Sequence, residues 1–377
     1  MSRPTDHRNI DLTQLNLDVA FGRAGGKVIW QPRILAWFSD RMFDGRGLPA
    51  PYTGMSESQM YRALGCSHRL YHFNACFPSR EDESVRHSHR ELGPMEYEVV
   101  TETPVGRQRA VYRKSPNNPW HMPVKWPIES PEEMKVATWR EERRTWHWDQ
   151  AAYDKLWQEW QGLGAPTCYM PRVNVQKLFI EDMGVEGAIY ALADYPATVE
   201  RYFEALALMH QRYMDVLVAS PIKIVNFGDN VHASLLPPRL FEKYVLPEYQ
   251  RRCRFLRAHG LFTHAHWDGD CKPLLPYARR TGLDGIEAIT PVPQGDVTLE
   301  ETRAALGDMF LLDGIPAIYF DKTYSERTLI DCARRCIELF AGHLVLGISD
   351  EISSSGEIER VKLVGQVVDD YNASLGS

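Results

Sequence analysis

The densest run of chemically able side chains in this chain is His264-Ala265-His266-Trp267-Asp268-Gly269-Asp270-Cys271. Residues two apart in a strand share a face, so His264, His266 and Asp268 project together wherever the backbone stays extended. Two imidazoles with a carboxylate suit Zn²⁺ or another first-row metal, with one coordination position left for substrate. The same side chains equally read as a buried hydrogen-bond network, because a His-x-His pair alone is a weak metal signal. Glu287 and Asp350 stand at neighbouring or facing strand ends and complete a candidate metal set of His266, Asp268, Glu287 and Asp350. Cys271 falls at the start of the following helix and reads as structural.

Other strand ends are polar too. Asp229, after Gly228, has the tight turn that would leave a carboxylate at a pocket mouth as base, ligand or substrate anchor, with helix capping as the rival reading. With His266 and Asp268 it makes the candidate catalytic group. Near the N-terminus, Trp30-Gln31-Pro32-Arg33 leaves another candidate strand. Arg33 is able to grip a carboxylate bidentately, or to form a surface ion pair. Trp30, Gln31, Arg33 and His264 are the candidate substrate contacts.

Short apolar runs alternating with amphipathic stretches must position these residues. After Ala165 the order is Thr167 to Met170, a helix from about Pro196 to Val218, Ile222 to Phe227, a helix from about Pro238 to His259, then Leu261 to His266. Gly285 to Ile289, Met309 to Leu312 and Leu344 to Ile348 continue the strands, with helices between them and a last helix from about Gly356 to Tyr371. Continuous apolar strands with crossover helices indicate a parallel sheet buried on both faces. Val28 to Trp30 and Leu70 to Phe73 bring the strands to about eight, the number that closes a TIM (β/α)8 barrel. Barrel enzymes gather their reactive groups at the C-terminal strand ends, where the residues above fall. The class expected is α/β: an N-terminal extension over 1–26, a barrel over 27–377, and a β-hairpin and helical insertion at about 95–160. Within that insertion Tyr97 to Thr101 and Arg109 to Arg113 read as a hairpin, and Ser130-Pro131-Glu132-Glu133 as a helix start. The tryptophans from Trp120 to Trp160 read as helix packing or as the wall of an aromatic pocket.

A net charge of -7 gives no general attraction to nucleic acid or to an anionic membrane. Arg251, Arg252, Arg254 and Arg257, at helical spacing, read as a solvated helix face. Seven cysteines without a CxxC pair or a disulfide spacing read as reduced thiols. No apolar leader or membrane-length run occurs, so a cytoplasmic protein is expected. No GxGxxG or Walker loop argues for a nucleotide. Oligomerisation stays open.

Asn226-Phe227-Gly228-Asp229, His266-Trp267-Asp268-Gly269 followed by Lys272-Pro273-Leu274-Leu275, Thr281-Gly282-Leu283-Asp284-Gly285-Ile286-Glu287, and Leu346-Gly347 together resemble the uroporphyrinogen decarboxylase superfamily, over about Ala165 to Tyr371. That superfamily holds porphyrinogen decarboxylases and methyltransferases that serve corrinoid proteins. The decarboxylases carry an Arg-Gln-Ala-Gly-Arg element, whereas Trp30-Gln31-Pro32-Arg33-Ile34-Leu35 has one arginine. Gly347-Ile348-Ser349-Asp350 stands where they have His-Gly-Ile. The methyltransferases carry His-x-Cys-Gly and a later cysteine that hold zinc. Here Asp268 stands at the first cysteine, and Ser349 or Asp350 near the second. Oxygen ligands make a harder centre, suited to a reluctant alkoxide or phenoxide leaving group. The resemblance thus implies an enzyme that moves a methyl group from a methoxylated, perhaps aromatic, substrate to the cobalt of a corrinoid (cobalamin). No Asp-x-His-x-x-Gly loop is present, so the corrinoid is expected on a separate partner protein. A decarboxylase of a carboxylated substrate, or a non-catalytic binding barrel, are the alternatives.

Overall fold

The computed structural model describes residues 11–116 and 118–376. The chain divides into two compact units. One comprises the N-terminal part through Asn74, Ala151–Tyr169 and everything from Ile222; the other comprises Ala75–Gln150 and Met170–Pro221.

The first unit is built on a parallel sheet of seven strands: β1 (Ile29–Trp30), β2 (Thr167–Met170), β3 (Ile224–Val231), β4 (Phe262–Trp267), β5 (Gly285–Glu287), β6 (Phe310–Pro316) and β7 (Leu344–Ser349). Its spatial order is β1-β7-β6-β5-β4-β3-β2. β4 to β7 are buried residue after residue, as strands covered on both faces must be. An eighth stave, residues 67–70, closes the gap between β1 and β2. Ser67 N donates to Trp30 O at 2.9 Å, Thr167 N donates to Leu70 O at 3.3 Å, and Leu70 bridges Pro166 in parallel. The fold is an α/β barrel of the TIM type, with one stave reduced to a single bridge. The strand expected at Leu70 to Phe73 ends at Leu70, because Tyr71–Cys76 winds into a 3₁₀ turn.

Of the N-terminal extension expected over 1–26, residues 1–10 lie outside the described residues. Leu12–Ala20 is a helix capped by Asp11, whose carboxylate accepts from Thr13 N and Gln14 N. Its Val19 and Ala20 pack against Ile29, Ile224, Phe262, Phe310 and Val345, the N-terminal ends of the strands, and so plug the bottom of the barrel. Burying a side chain such as Val19 contributes about 1.5–3 kcal/mol. The plug leaves the C-terminal strand ends as the polar end of the barrel interior. Side-chain caps start the crossover helices: Thr298 with Glu301 forms a capping box for Leu299–Leu306, and Ser325 caps Glu326–Phe340.

The second unit holds an antiparallel sheet of four strands, Arg86–Glu91, Glu96–Thr103, Gly106–Lys114 and His121–Lys125, in sequence order. Its central hairpin pairs Thr103 with Gly106 across a two-residue turn. Ser130 caps Pro131–Arg143 at Glu133 N, the helix start its sequence indicates. The tryptophans do not share one wall: Trp139 lies under Arg143 in this unit, while Trp160 stacks on His72 in the barrel unit. No helix among the described residues is long and apolar enough to cross a membrane.

Candidate active site

Alternation along the strands sets which side chains enter the barrel. From β1 onward Gln31 and Arg33 follow Ile29 inward; the short stave contributes Ser67 and Arg69; β3 contributes Asn226; β4 contributes His264 and His266. Glu287 ends β5. A fully buried Glu287 is the hub. Its Oε1 accepts from Arg33 Nη1 at 3.0 Å and lies 3.1 Å from Arg69 Nη1 and 3.2 Å from His266 Nδ1. Its Oε2 accepts from Tyr71 OH at 3.0 Å and from Asn226 Nδ2, and lies 2.9 Å from His264 Nδ1. That last approach is close in distance but poorly aligned, and among the described residues neither ring nitrogen of His264 has a hydrogen-bond partner.

Burial alone would push the Glu287 carboxyl up, but Arg69 and Arg33, helped by the two histidines, hold it well below the usual carboxylate range. Glu287 is therefore anionic at neutral pH. Burial likewise pulls Arg33 down, and Glu287, Glu351 and Asp313 overcome it, so the guanidinium stays charged. Arg69 is clamped by Asp313, with Nη2 to Oδ1 at 2.8 Å and Nη1 to Oδ2 at 3.3 Å. Burial pushes Asp313 above its ordinary value despite Arg69. Asp313 sits at φ 83°, a conformation unusual for a side-chain-bearing residue. Gly347 on β7 makes room for it: a Cβ there would stand 2.3 Å from Asp313 Oδ1 and 2.9 Å from Gln31 O.

The residues singled out from sequence divide by their position. His266, Arg33, Glu287 and Asp350 come together with Asp268. Among the described residues His266 Nε2 has no hydrogen-bond partner, and it faces Asp268 Oδ2 and Asp350 Oδ1, each at 3.9 Å. Arg33 Nη1 lies 3.7 Å from Asp350 Oδ1 and 3.3 Å from His266 Nδ1. His264 lies below them, fully buried, and burial lowers its pKa against the pull of Glu287.

Gln31 also points inward, but its amide is already engaged. Nε2 donates to Asn16 Oδ1, Ser67 Oγ and His68 O at 3.1, 3.0 and 3.2 Å, and Oε1 accepts from Arg69 Nε at 3.0 Å. It positions Arg69, leaving no group for substrate. Trp30 faces outward, donating Nε1 to Val361 O of the last helix at 3.0 Å. Asp229 also lies on the outer face, one residue out of phase with Asn226 and Gly228. It is fully buried and accepts from Tyr249 OH at 2.7 Å on helix Leu246–Ala258. Neither Trp30 nor Asp229 meets the cluster. Arg252, grouped with a solvated helix face by its spacing, is fully buried against Phe227 on that same side. Arg69 and Tyr71 were not visible as site residues from sequence. Arg69 is on the short stave and Tyr71 opens the 3₁₀ turn that follows it, so no strand alternation in the sequence marks the pair.

A metal does not fit this arrangement. Glu287 has both oxygens engaged, and a guanidinium 3.0 Å from it and 3.3 Å from His266 Nδ1 would repel a dication. Ser349 is tied to backbone, accepting from Gly314 N and donating to Ile289 O. Among the described residues no group of three His, Cys, Asp or Glu is arranged to hold a metal ion. A cavity of about 320 Å³, lined by Leu15, Val28, Trp30, Tyr61 and Cys66 among others, shares none of the charged cluster.

Residues 180–317 match the family model described as uroporphyrinogen decarboxylase (URO-D). Among solved structures the chain is similar to a methyltransferase from Methanosarcina mazei, with a TM-score of 0.59 at 12% identity, covering 96% of this chain and 99% of that one. A B12-independent methionine synthase from a Shewanella species aligns at a TM-score of 0.45 and 9% identity, over 93% of this chain and 97% of that one. A putative vitamin-B12 independent methionine synthase from Listeria monocytogenes aligns at 0.44 and 10%, over 92% and 96%. The matched segment carries β3, β4 and β5 with Asn226, His264, His266 and Glu287, so the cluster is built largely on it. That segment is thus similar to the uroporphyrinogen decarboxylase family, and the barrel around it has the fold of the Methanosarcina mazei methyltransferase.

Proposed function

We propose that the protein moves a methyl group from a methoxylated substrate to the cobalt(I) of a corrinoid carried by a separate protein, the first step of an O-demethylation. The observation that carries this reading is His266. Its Nδ1 is braced by Glu287 and Arg33, and its Nε2 stands without a hydrogen bond at the strand-end rim. An ether is a poor methyl donor because its oxygen leaves as an alkoxide or phenoxide, so a proton on that oxygen is what the protein must provide.

The acceptor supplies the electron pair that takes the methyl group. The C–O bond breaks with its electrons going to oxygen, and the proton on His266 Nε2 passes to that oxygen, releasing an alcohol or phenol. Glu287 fixes the ring so that Nε2 faces the rim, and Tyr71, Asn226 and the two arginines fix Glu287. Burial pushes the Tyr71 phenol well above its ordinary value, so it remains a donor to Glu287 and is not a base. No step needs a metal held by this chain.

A decarboxylase would need arginines facing an acidic substrate. Both arginines of this cluster are occupied by the chain's own carboxylates, which argues against that alternative. The test is to mix the protein with a reduced corrinoid protein and a panel of methoxylated aromatics and follow the cobalt absorption. Methylation that falls about 10²-fold or more in His266→Gln supports the reading, on the usual scale of general acid catalysis. No methylation from any methoxylated donor would sink it, as would an unaffected His266→Gln. A non-catalytic barrel predicts no turnover and binding indifferent to His266.

A further inference from the structure

We propose that the methyl donor carries an ammonium group, not a carboxylate, and that Asp268 and Asp350 recognise it. The methoxy part of the donor rests on the function proposed above; the sign of its charge rests on the rim alone. Five carboxylates, from Glu287, Asp313, Asp268, Asp350 and Glu351, surround two guanidiniums and His266. Burial pushes the Asp313 and Glu351 carboxyls up. Even with both of those protonated, three carboxylates remain beside the two guanidiniums and His266.

Glu287 and Asp313 are fully buried among the arginines, but the other three carboxylates lie farther out than the guanidiniums. The cations are inside, with Arg33 13% and Arg69 5% exposed, whereas Asp350 is 52% and Asp268 28% exposed. A ligand arriving at the rim therefore meets acceptors before it meets any positive charge. Asp268 Oδ1 is buried with no hydrogen-bond partner among the described residues. Asp350 Oδ1 has Arg33 Nη1 at 3.7 Å and His266 Nε2 at 3.9 Å, both beyond hydrogen-bond length. Between these two carboxylates stands His266 Nε2, on a side chain more than nine-tenths buried and with no hydrogen bond of its own, so the gap faces a ligand.

Beside the cluster the rings of Tyr71 and Tyr169 stack at 4.0 Å and 19°. Their phenols are pushed up by burial and stay neutral. Electron-rich faces next to carboxylates favour an aryl ring bearing a cation and disfavour an aryl carboxylate. Ammonium N–H groups satisfy acceptors that a carboxylate would only repel.

The experiment compares 4-methoxybenzylamine with 4-methoxybenzoate, which share ring and ether and differ in charge, and includes 4-methoxybenzyl alcohol as the neutral control. Binding to the full-length protein is measured by titration calorimetry at neutral pH and low salt, with no corrinoid protein present. The amine should bind at least about tenfold more tightly than either of the others, and Asp350→Asn should narrow that margin several-fold. Asparagine tolerates the left-handed backbone that Asp350 adopts at φ 66°, so the variant preserves the turn. Equal or tighter binding of the benzoate or the alcohol overturns the proposal, as does an unchanged margin in Asp350→Asn or the absence of amine binding. Methylation of cobalt by the benzoate, with no preference for the amine, would defeat this inference and leave the methyl-transfer reading standing. Tight amine binding with no methyl transfer would do the reverse.

Discussion

Glu287→Gln tests whether one buried carboxylate holds the cluster together. The substitution removes the negative charge 3.0 Å from Arg33 and 3.1 Å from Arg69 while keeping the shape of the side chain. Because the carboxyl is held well below its ordinary range, the change is a true loss of charge at neutral pH. The burden falls unequally. Arg69 keeps Asp313 at 2.8 Å, whereas Arg33 keeps only Glu351 at 3.5 Å, Asp350 at 3.7 Å and Asp313 at 4.0 Å. A single pair at about 3 Å would attract by roughly 5 kcal/mol at an effective dielectric near 20, before the cost of burying the carboxylate is subtracted. Breaking a buried pair costs about 3–5 kcal/mol once relaxation is included, so that range decides the expectation. The amide adds a conflict, since its NH₂ must face either the guanidiniums or the donors Tyr71 OH and Asn226 Nδ2. At about 2.1 cal/mol/K per residue the chain unfolds with roughly 0.8 kcal/mol/K, so a loss of about 4 kcal/mol lowers Tm by about 5 °C. Thermal unfolding followed by calorimetry reads this directly, with Glu287→Asp, which retains the charge, expected to lose less. A Glu287→Gln protein melting within about 1 °C of wild type, against the expected 5 °C, would refute the charge argument.

Three further outcomes follow from the same geometry. Gly347→Ala places a methyl 2.3 Å from Asp313 Oδ1 and 2.9 Å from the Gln31 carbonyl, which is backbone and yields little; a drop of about 1–3 kcal/mol in denaturant unfolding is expected, and a neutral result would show that Asp313 is free to move. Burial depresses the pKa of His264, so the unfolded chain takes up that proton first: stability is full above the unfolded value near 6.5 and is lost as pH falls below it. Tm should therefore decline from pH 8 to 5.5 in wild type and decline less in His264→Gln; the stability that Glu287 contributes is fully present across that window and is lost only as pH falls below the ordinary carboxylate range. Zinc in the purified protein should be well below one equivalent and unchanged in His266→Ala, and a stoichiometric metal lost on that substitution would overturn the assignment of Glu287 to the arginines.

How far the fold could be read depended on burial. β2, β4 and β7 lie within a residue or so of the apolar runs that mark them, since strands covered on both faces write a continuous signal into the sequence. The stave at 67–70 wrote none, because the side chains it sends inward are Ser67 and Arg69. A barrel segment that serves the site with polar groups forfeits the apolar pattern by which strands are found. The bottom plug was obscure for another reason: a nine-residue helix looks alike whether it hangs free or fills a barrel.

Within the site, position along a strand was legible and facing was not. Asn226 points inward to Glu287, so Asp229, three residues on, has the opposite parity and turns to Tyr249. Trp30 falls on the outer face by the same alternation, with Gln31 inside. Parity could have been counted from β3 once one inward residue was fixed. The role of Glu287 could not, since a carboxylate beside two histidines suits a metal as well as an arginine clamp. What decides between them is Arg69, brought from a distant stave with no pattern of its own and held by Asp313, whose backbone conformation depends on the space left by Gly347. Three separate strand ends must meet before the carboxylate acquires its partners. Asp268, which stands where the resemblance would put a cysteine, takes on a different meaning in that setting: the charged rim remains, the cation at its centre is supplied by Arg33, and the group left facing outward is the imidazole to which the proposed function assigns the proton.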